Sequence, residues 1–279
     1  MKSVLTTELE LAKALARAAG KAILEHYVEG IAVQFKGAGS ADPVTAADKT
    51  ANQLIVAGIA AAFPGDAILA EESPLSAERH RYQRLWCIDP LDGTQEFIEH
   101  NGQFSVMIGL AIDGAARLGV VYQPTTDVLS WGADGCAFSE HGGAVTPLLA
   151  SRTAAPAQAV MMVSRSHRSK SVARVAESLG IARTEPLGSV GLKVVRIASA
   201  AADVYLSLSN KTCEWDACAP EAILHAAGGT MTDVLGEPLR YNKETPNTPR
   251  GLLASNGPLH AACVAAVRPL AREHGWSAG

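Results

Sequence analysis

Leu85-Trp86-Cys87-Ile88 runs straight into Asp89-Pro90-Leu91-Asp92-Gly93-Thr94, and this junction constrains the fold more than any other stretch of the 279-residue chain. The apolar run predicts a short buried strand, and Pro90 with Gly93 predicts a tight turn that ends it at Asp89. Two carboxylates are thereby held together at a strand end. With most residues near 5% and Gly near 7% of usage, D-P-x-D-G-T arises by chance in about 10⁻⁴ of chains this long. Asp-Pro or Asp-Gly alone is ordinary turn chemistry.

Two more acidic points accompany it. Glu71-Glu72-Ser73 follows the short apolar strand Ala67-Ile68-Leu69-Ala70 and precedes Pro74. Trp215-Asp216 heads a stretch from Ala217 to Ala227 that reads as a helix, with Asp216 expected as its N-cap and Pro220 expected near its first turn.

The remaining pattern is mixed. Leu5, Leu9, Ala12, Ala16, Ala19 and Ile23 recur at helical spacing, and residues 45–63 read as a second helix stopped by Pro64-Gly65. From Phe104 to Leu129, alternating apolar residues around Asp113-Gly114 predict an antiparallel hairpin continuing into a meander. Beyond a polar stretch near residue 155 the chain reads as strand (160–164), helix (171–179), then strand and helix again. The expectation is a mixed α/β protein in two halves, 1–155 and 156–279, the second completing a site begun by the first.

Composition excludes several classes. A content of 48% hydrophobic and 19% charged residues is not that of a disordered tail, a collagen or a coiled coil. A net charge of −4 gives no basic footprint for a nucleic-acid polymer. The longest apolar run, 55–63, falls short of the ~20 residues that span a bilayer, and charges from Lys2 to Glu25 interrupt any secretory leader. Cys87, Cys136, Cys213, Cys218 and Cys263 form an odd set without a C-x-x-C pair. They read as buried small hydrophobes in a reducing compartment, so the cytoplasm is the expected location.

Gathered carboxylates repel one another and an anionic substrate alike. At ~4 Å and an effective dielectric of ~20, each like-charge pair costs about 4 kcal/mol. Cations reconcile the two, and oxygen ligands without a convergent His or Cys set favour Mg²⁺ over zinc.

Pro43-Val44-Thr45-Ala46-Ala47-Asp48, Glu71-Glu72-Ser73, Asp89 to Thr94, Gly188-Ser189 with Lys193, and Trp215-Asp216 ahead of Gly228-Gly229 occur here in order. In this the chain resembles the inositol monophosphatase superfamily of Mg²⁺-dependent, lithium-sensitive phosphatases. The resemblance implies a layered αβαβα sandwich of the inositol monophosphatase and fructose-1,6-bisphosphatase type, two or three Mg²⁺ ions, and often a homodimer. It implies that Glu71, Asp89 and the Leu91 carbonyl hold one ion, that Asp89, Asp92 and Asp216 hold another, and that Thr94, Glu71 and Asp48 handle the attacking water. The amides of Gly93 and Thr94, with Ser189 and Lys193, would join Glu71, Leu91, Asp92 and Asp216 in binding the substrate.

Gln95-Glu96-Phe97, Ser164 to His167 and Gly188-Ser189 are similar to the 3′(2′),5′-bisphosphate nucleotidase branch, which implies hydrolysis of 3′-phosphoadenosine 5′-phosphate. Lys193, Arg165 and Lys211 are the cations nearest the motifs for its second phosphate. The segment from Lys36 to Pro43 is two residues longer than that branch's pattern, Asp42 stands where serine is frequent, and Ser207 stands where some relatives carry arginine. An inositol or sugar phosphatase is the alternative within the fold. A non-catalytic metal- or anion-binding regulator is the alternative outside it, and the retention of Thr94 beside the acidic set argues against that.

Overall fold

The computed structural model describes residues 5–29, 33–35, 43–166, 169–273 and 275–276. The segment 36–42, two residues longer than the nucleotidase pattern, and His167 lie outside them. In chain order, α1 (Thr6–Glu29) precedes a small antiparallel pair, β1 (Val33–Phe35) and β2 (Pro43–Thr45), and then α2 (Ala46–Ala62). The next elements are β3 (Ala67–Ala70), β4 (Arg84–Asp92), α3 (Thr94–Ile98), β5 (Ser105–Ile112), β6 (Ala115–Gln123), β7 (Val128–Ala133), β8 (Cys136–His141) and β9 (Ala144–Pro147). The chain continues through β10 (Val160–Ser164), α4 (Lys170–Ser178), β11 (Arg183–Leu187), α5 (Val190–Ala198), β12 (Val204–Ser207) and α6 (Glu214–Ala226). It closes with β13 (Thr230–Thr232), β14 (Leu252–Ser255) and α7 (His260–Glu273).

Strands β3 to β9 form one seven-stranded sheet in sequence order, and a second sheet has the order β11-β10-β12-β14-β13. The expected hairpin is β5 and β6, joined at Asp113 and Gly114, which both have positive φ as a two-residue turn of that type requires.

The two-residue period of each strand sorts its side chains into layers. On β4, Trp86 and Ile88 face the helical layer of α1 and α2, packing with Ile23, Ile55 and Ile59. Leu85 and Cys87 face the opposite way, into a core shared with Val194 and Ile197 of α5, Ile223 of α6, and Met162 and Ala254 of the second sheet. The outer face of that sheet meets α4 and α7 through Val172, Val175 and Val267. Five layers result, helix, sheet, helix, sheet, helix, as the fold expectation had it.

The helix α6 lies unusually close to the first sheet. Gly109, Gly119 and Gly132 are cross-strand neighbours on β5, β6 and β7, forming a bare row on the face turned to α6. A Cβ at Gly109 would stand 2.7 Å from the Ala219 nitrogen, one at Gly119 2.0 Å from the Ala219 carbonyl oxygen, and one at Gly132 2.6 Å from Ile223 Cα. Strand glycines at a close backbone approach are the reason the helix can rest there.

Three expectations are corrected. The strand does not end at Asp89: β4 continues to Asp92 through a bulge, because Pro90 has no N–H to give the ladder and one extra residue is accommodated between Asp89 and Asp92. The cap of α6 is Cys213, and Pro220 lies well inside the helix. Of the cysteines, Cys87, Cys218 and Cys263 are buried, whereas Cys213 is half-buried and Cys136, just past the Asp134-Gly135 turn, is exposed. No helix among the described residues is long and apolar enough to cross a membrane.

The glycine row makes a stability prediction. Gly119→Ala drives a methyl into the α6 backbone and should cost about 3 kcal/mol, the upper range for overpacking. Gly65→Ala, where nothing lies within 4 Å of the new Cβ, should stay within about 0.5 kcal/mol of the parent. Urea unfolding of both variants measures the difference, and equal midpoints would mean that α6 is not seated on the row.

Candidate active site

Residues three apart on a regular strand point to opposite faces, so an uninterrupted β4 would separate Asp89 from Asp92. Pro90 and Leu91 together oppose the single residue Val106, with Asp89 paired to Met107 and Asp92 to Ser105. That extra residue brings both carboxylates to the same side. The Leu91 N–H donates to Asp89 Oδ1 at 3.0 Å, and Gly93 then turns the chain at φ 96°, a left-handed value that suits glycine. The Thr94 hydroxyl donates back to the Leu91 carbonyl at 3.2 Å.

The neighbouring carboxylates arrive from three other elements. The Glu71 N–H donates to the Ile88 carbonyl at 3.1 Å, which extends β3 beside β4 and sets Glu71 next to Asp89. Asp48, in the first turn of α2 and buried, places a carboxylate oxygen within 4.8 Å of oxygens of Glu71 and Glu72. Asp216 is the third residue of α6, where its Oδ2 accepts the Cys213 N–H at 2.6 Å. It thus caps the helix from inside the first turn rather than from the N-cap position.

Glu71, Asp89, Leu91, Asp92, Gly93, Thr94, Ser189, Lys193 and Asp216 line one cavity of about 1230 Å³. Asp48 is not on its wall but stands beside it with Glu71 and Glu72. Glu72, part of the motif but given no role from sequence, belongs to the acidic group as well; its adjacency to Glu71 was the available signal. Arg165 is directed elsewhere, its exposed Nε donating to Gln103 Oε1 at 2.7 Å, while Lys211 is on the cavity wall.

The charges are under strain. Burial, then Glu71, Asp92, Asp216 and Asp48, push the Asp89 carboxyl well above the usual range. Loss of solvent and the charge of Glu71 push Asp216 up to about 8. Lys193 is buried with its ammonium donating to the Leu187 and Gly188 carbonyls at 3.3 and 3.2 Å. Burial lowers its pKa to about 8 although Asp92, Glu96 and Asp216 pull it upward.

The donor chemistry fits a hard divalent cation. The Cys213 thiol is the one sulfur on the wall, and burial with Asp216 beside it pushes its pKa up to about 12 in the metal-free protein. The other candidates are carboxylate and carbonyl oxygens, the set that suits Mg²⁺.

The sequence profile of the inositol monophosphatase family matches residues 5–272. The chain is 38% identical over 234 residues to the 3′(2′),5′-bisphosphate nucleotidase CysQ of Salmonella typhimurium, covering 84% of this chain and 93% of that one. It superposes on the crystal structure of CysQ from Bacteroides thetaiotaomicron with a TM-score of 0.76 at 31% identity, covering 90% of this chain and 98% of the other. It superposes on an IMPase of Thermotoga maritima with a TM-score of 0.81 at 26% identity, covering 96% and 99%. By profile, sequence and fold alike, the chain belongs to the inositol monophosphatase family.

Proposed function

We propose that this protein is a Mg²⁺-dependent phosphomonoesterase that converts 3′-phosphoadenosine 5′-phosphate and water to AMP and phosphate. The observation that carries this is a single cavity joining the carboxylates of Glu71, Asp89, Asp92 and Asp216 to a wall of Val172, Ala176, Leu206 and Leu208. Its volume exceeds the ~300–1,000 Å³ of sites for drug-sized ligands, leaving room for a nucleoside beyond the phosphate being cleaved. The nucleotidase relatives at 38% identity support the same substrate.

Glu71, Asp89, the Leu91 carbonyl, Asp92 and Asp216 would hold the ions. Mg²⁺ bound there supplies charge neutralisation at the phosphoryl oxygens and acidifies water. The protein's own groups do the orienting. Because the Thr94 hydroxyl spends its proton on the Leu91 carbonyl, it can only accept from a water, and with Glu71 it directs that water's lone pair at phosphorus. Asp48, grouped with Glu71, takes up the proton, and the ester oxygen leaves as the 3′-hydroxyl after protonation by solvent. The second phosphate is assigned to Lys211 and Lys193, both on the wall of the cavity.

Three measurements test this. Asp89→Asn should lower kcat by at least about 10³ without unfolding the protein, and retention of a tenth of the parent turnover would refute the assignment of Asp89 as an ion ligand. In side-by-side steady-state kinetics, kcat/KM for 3′-phosphoadenosine 5′-phosphate should exceed that for inositol 1-phosphate by at least about tenfold, about 1.4 kcal/mol. Equal values would leave a phosphatase without the nucleotide preference.

The third is a pH dependence of stability. Asp89 and Asp216 hold protons in the folded, metal-free protein at pH values where the unfolded chain has released them. Their contribution is therefore full below about pH 4 and is lost as pH rises toward about 8. In chelator, Tm should fall between pH 5.5 and pH 8, and added Mg²⁺ should raise it far more at pH 8 than at pH 5.5. A Mg²⁺ shift that is equal at both values would contradict the assigned ligands.

A further inference from the structure

Asp92 receives two hydrogen bonds from one element, and both fall on the same oxygen. Its Oδ2 accepts from Ser189 Oγ at 2.5 Å and from the Gly191 N–H at 2.8 Å, at the start of α5. Ser189 is held at φ 49° and ψ 125°, a sparsely populated backbone conformation for a residue with a Cβ. Such a conformation is strained and persists where surrounding contacts enforce it. Its hydroxyl is the enforcing contact, since it also accepts the Leu192 N–H at 3.0 Å and lies 2.9 Å from Ser105 Oγ.

Counting protons fixes the direction of this chain. A serine hydroxyl has one proton and two acceptor sites. Ser189 spends its proton on the carboxylate and one acceptor site on Leu192, so the remaining site can be filled only by a proton from Ser105. Ser105 is fully buried on β5, directly opposite Asp92 in the ladder, in a strand otherwise composed of apolar residues and Gly109. The first turn of α5 rests on it, with a Cβ at Gly191 only 3.1 Å from Ser105 Oγ.

We infer that Ser105 is a positioning residue: through Ser189 it pins Asp92 Oδ2 and so presents Asp92 Oδ1 to the cation in the cavity. The inference rests on the reading of Asp92 as a cation ligand given above. Hydrogen bonds in series polarise one another, so removal of the outermost donor weakens the bond that orients the carboxylate. Groups behind metal ligands typically carry 10–100-fold in metal affinity.

The test titrates Mg²⁺ calorimetrically into the metal-free full-length chain. Ser105→Ala should weaken Mg²⁺ binding about tenfold, while KM for 3′-phosphoadenosine 5′-phosphate at saturating Mg²⁺ stays within about twofold of the parent. Ser105→Thr and Ser105→Val share one shape and differ only in the hydroxyl, so they remain comparable even if the alanine variant does not fold. Thr should bind Mg²⁺ about tenfold more tightly than Val. An alanine variant that binds like the parent, or a Thr and Val pair of equal affinity, overturns the inference. Asp92→Asn separates the two levels: if it too binds Mg²⁺ like the parent, the ligand reading itself has failed rather than the role of Ser105.

Discussion

The contact of α6 with the bare row of Gly109, Gly119 and Gly132 is the constraint on which the active site depends. Asp216 comes from the second half of the sequence, and Asp89 and Asp92 from the first. Nothing local draws them together, and their charges oppose it. The helix is held by shape, its backbone lying where any side chain on the sheet would displace it, and by apolar burial of Cys218, Ala219 and Ile223. Burial of apolar side chains at roughly 25 cal/mol per Å² supplies energy on the scale needed to oppose repulsion among buried carboxylates. The core therefore imposes the geometry on the charges, and the charges shift their proton affinities in response.

Much of this was legible in the sequence because it depends on local rules. Two-residue alternation identified β5 and β6, Asp113-Gly114 identified their turn, and an improbable run of six residues identified Asp89, Asp92 and Thr94. What was not legible depends on counts or distances across the fold. The bulge at Pro90 and Leu91 exists only relative to Val106 on the facing strand, so the sequence reading ended the strand three residues early. The cap of α6 was displaced by three residues because cysteine is not a usual N-cap and Asp216 mimics one. Ser105 carries no signal in the sequence, because its partner Ser189 lies 84 positions away.

Lys193 shows how a correct residue can be given too simple a purpose. From sequence it was a cation near a phosphate site. In the fold it is almost wholly enclosed, sits 5.1 Å from the Tyr205 ring centre, and donates to two main-chain carbonyls where β11 passes into α5, those of Leu187 and Gly188. Those bonds tie the ammonium to the same turn that carries Ser189. The positive charge beside Asp92 and Asp216 is thus part of the scaffold, whatever else it meets in the cavity.

The sequential order of the first sheet bears on how the molecule is assembled. From β5 to β9 each strand pairs with the next through a short connection, so that surface can form by closing small loops. Joining Asp216 to Asp92 instead closes well over a hundred residues of chain. Contacts at such separation carry their entropy cost before they bring any gain, and they come late in folding. A cation held by these carboxylates would then be the ligand of a nearly finished molecule: it would select the completed docking of α6 and slow its loss, with little by which to start the fold.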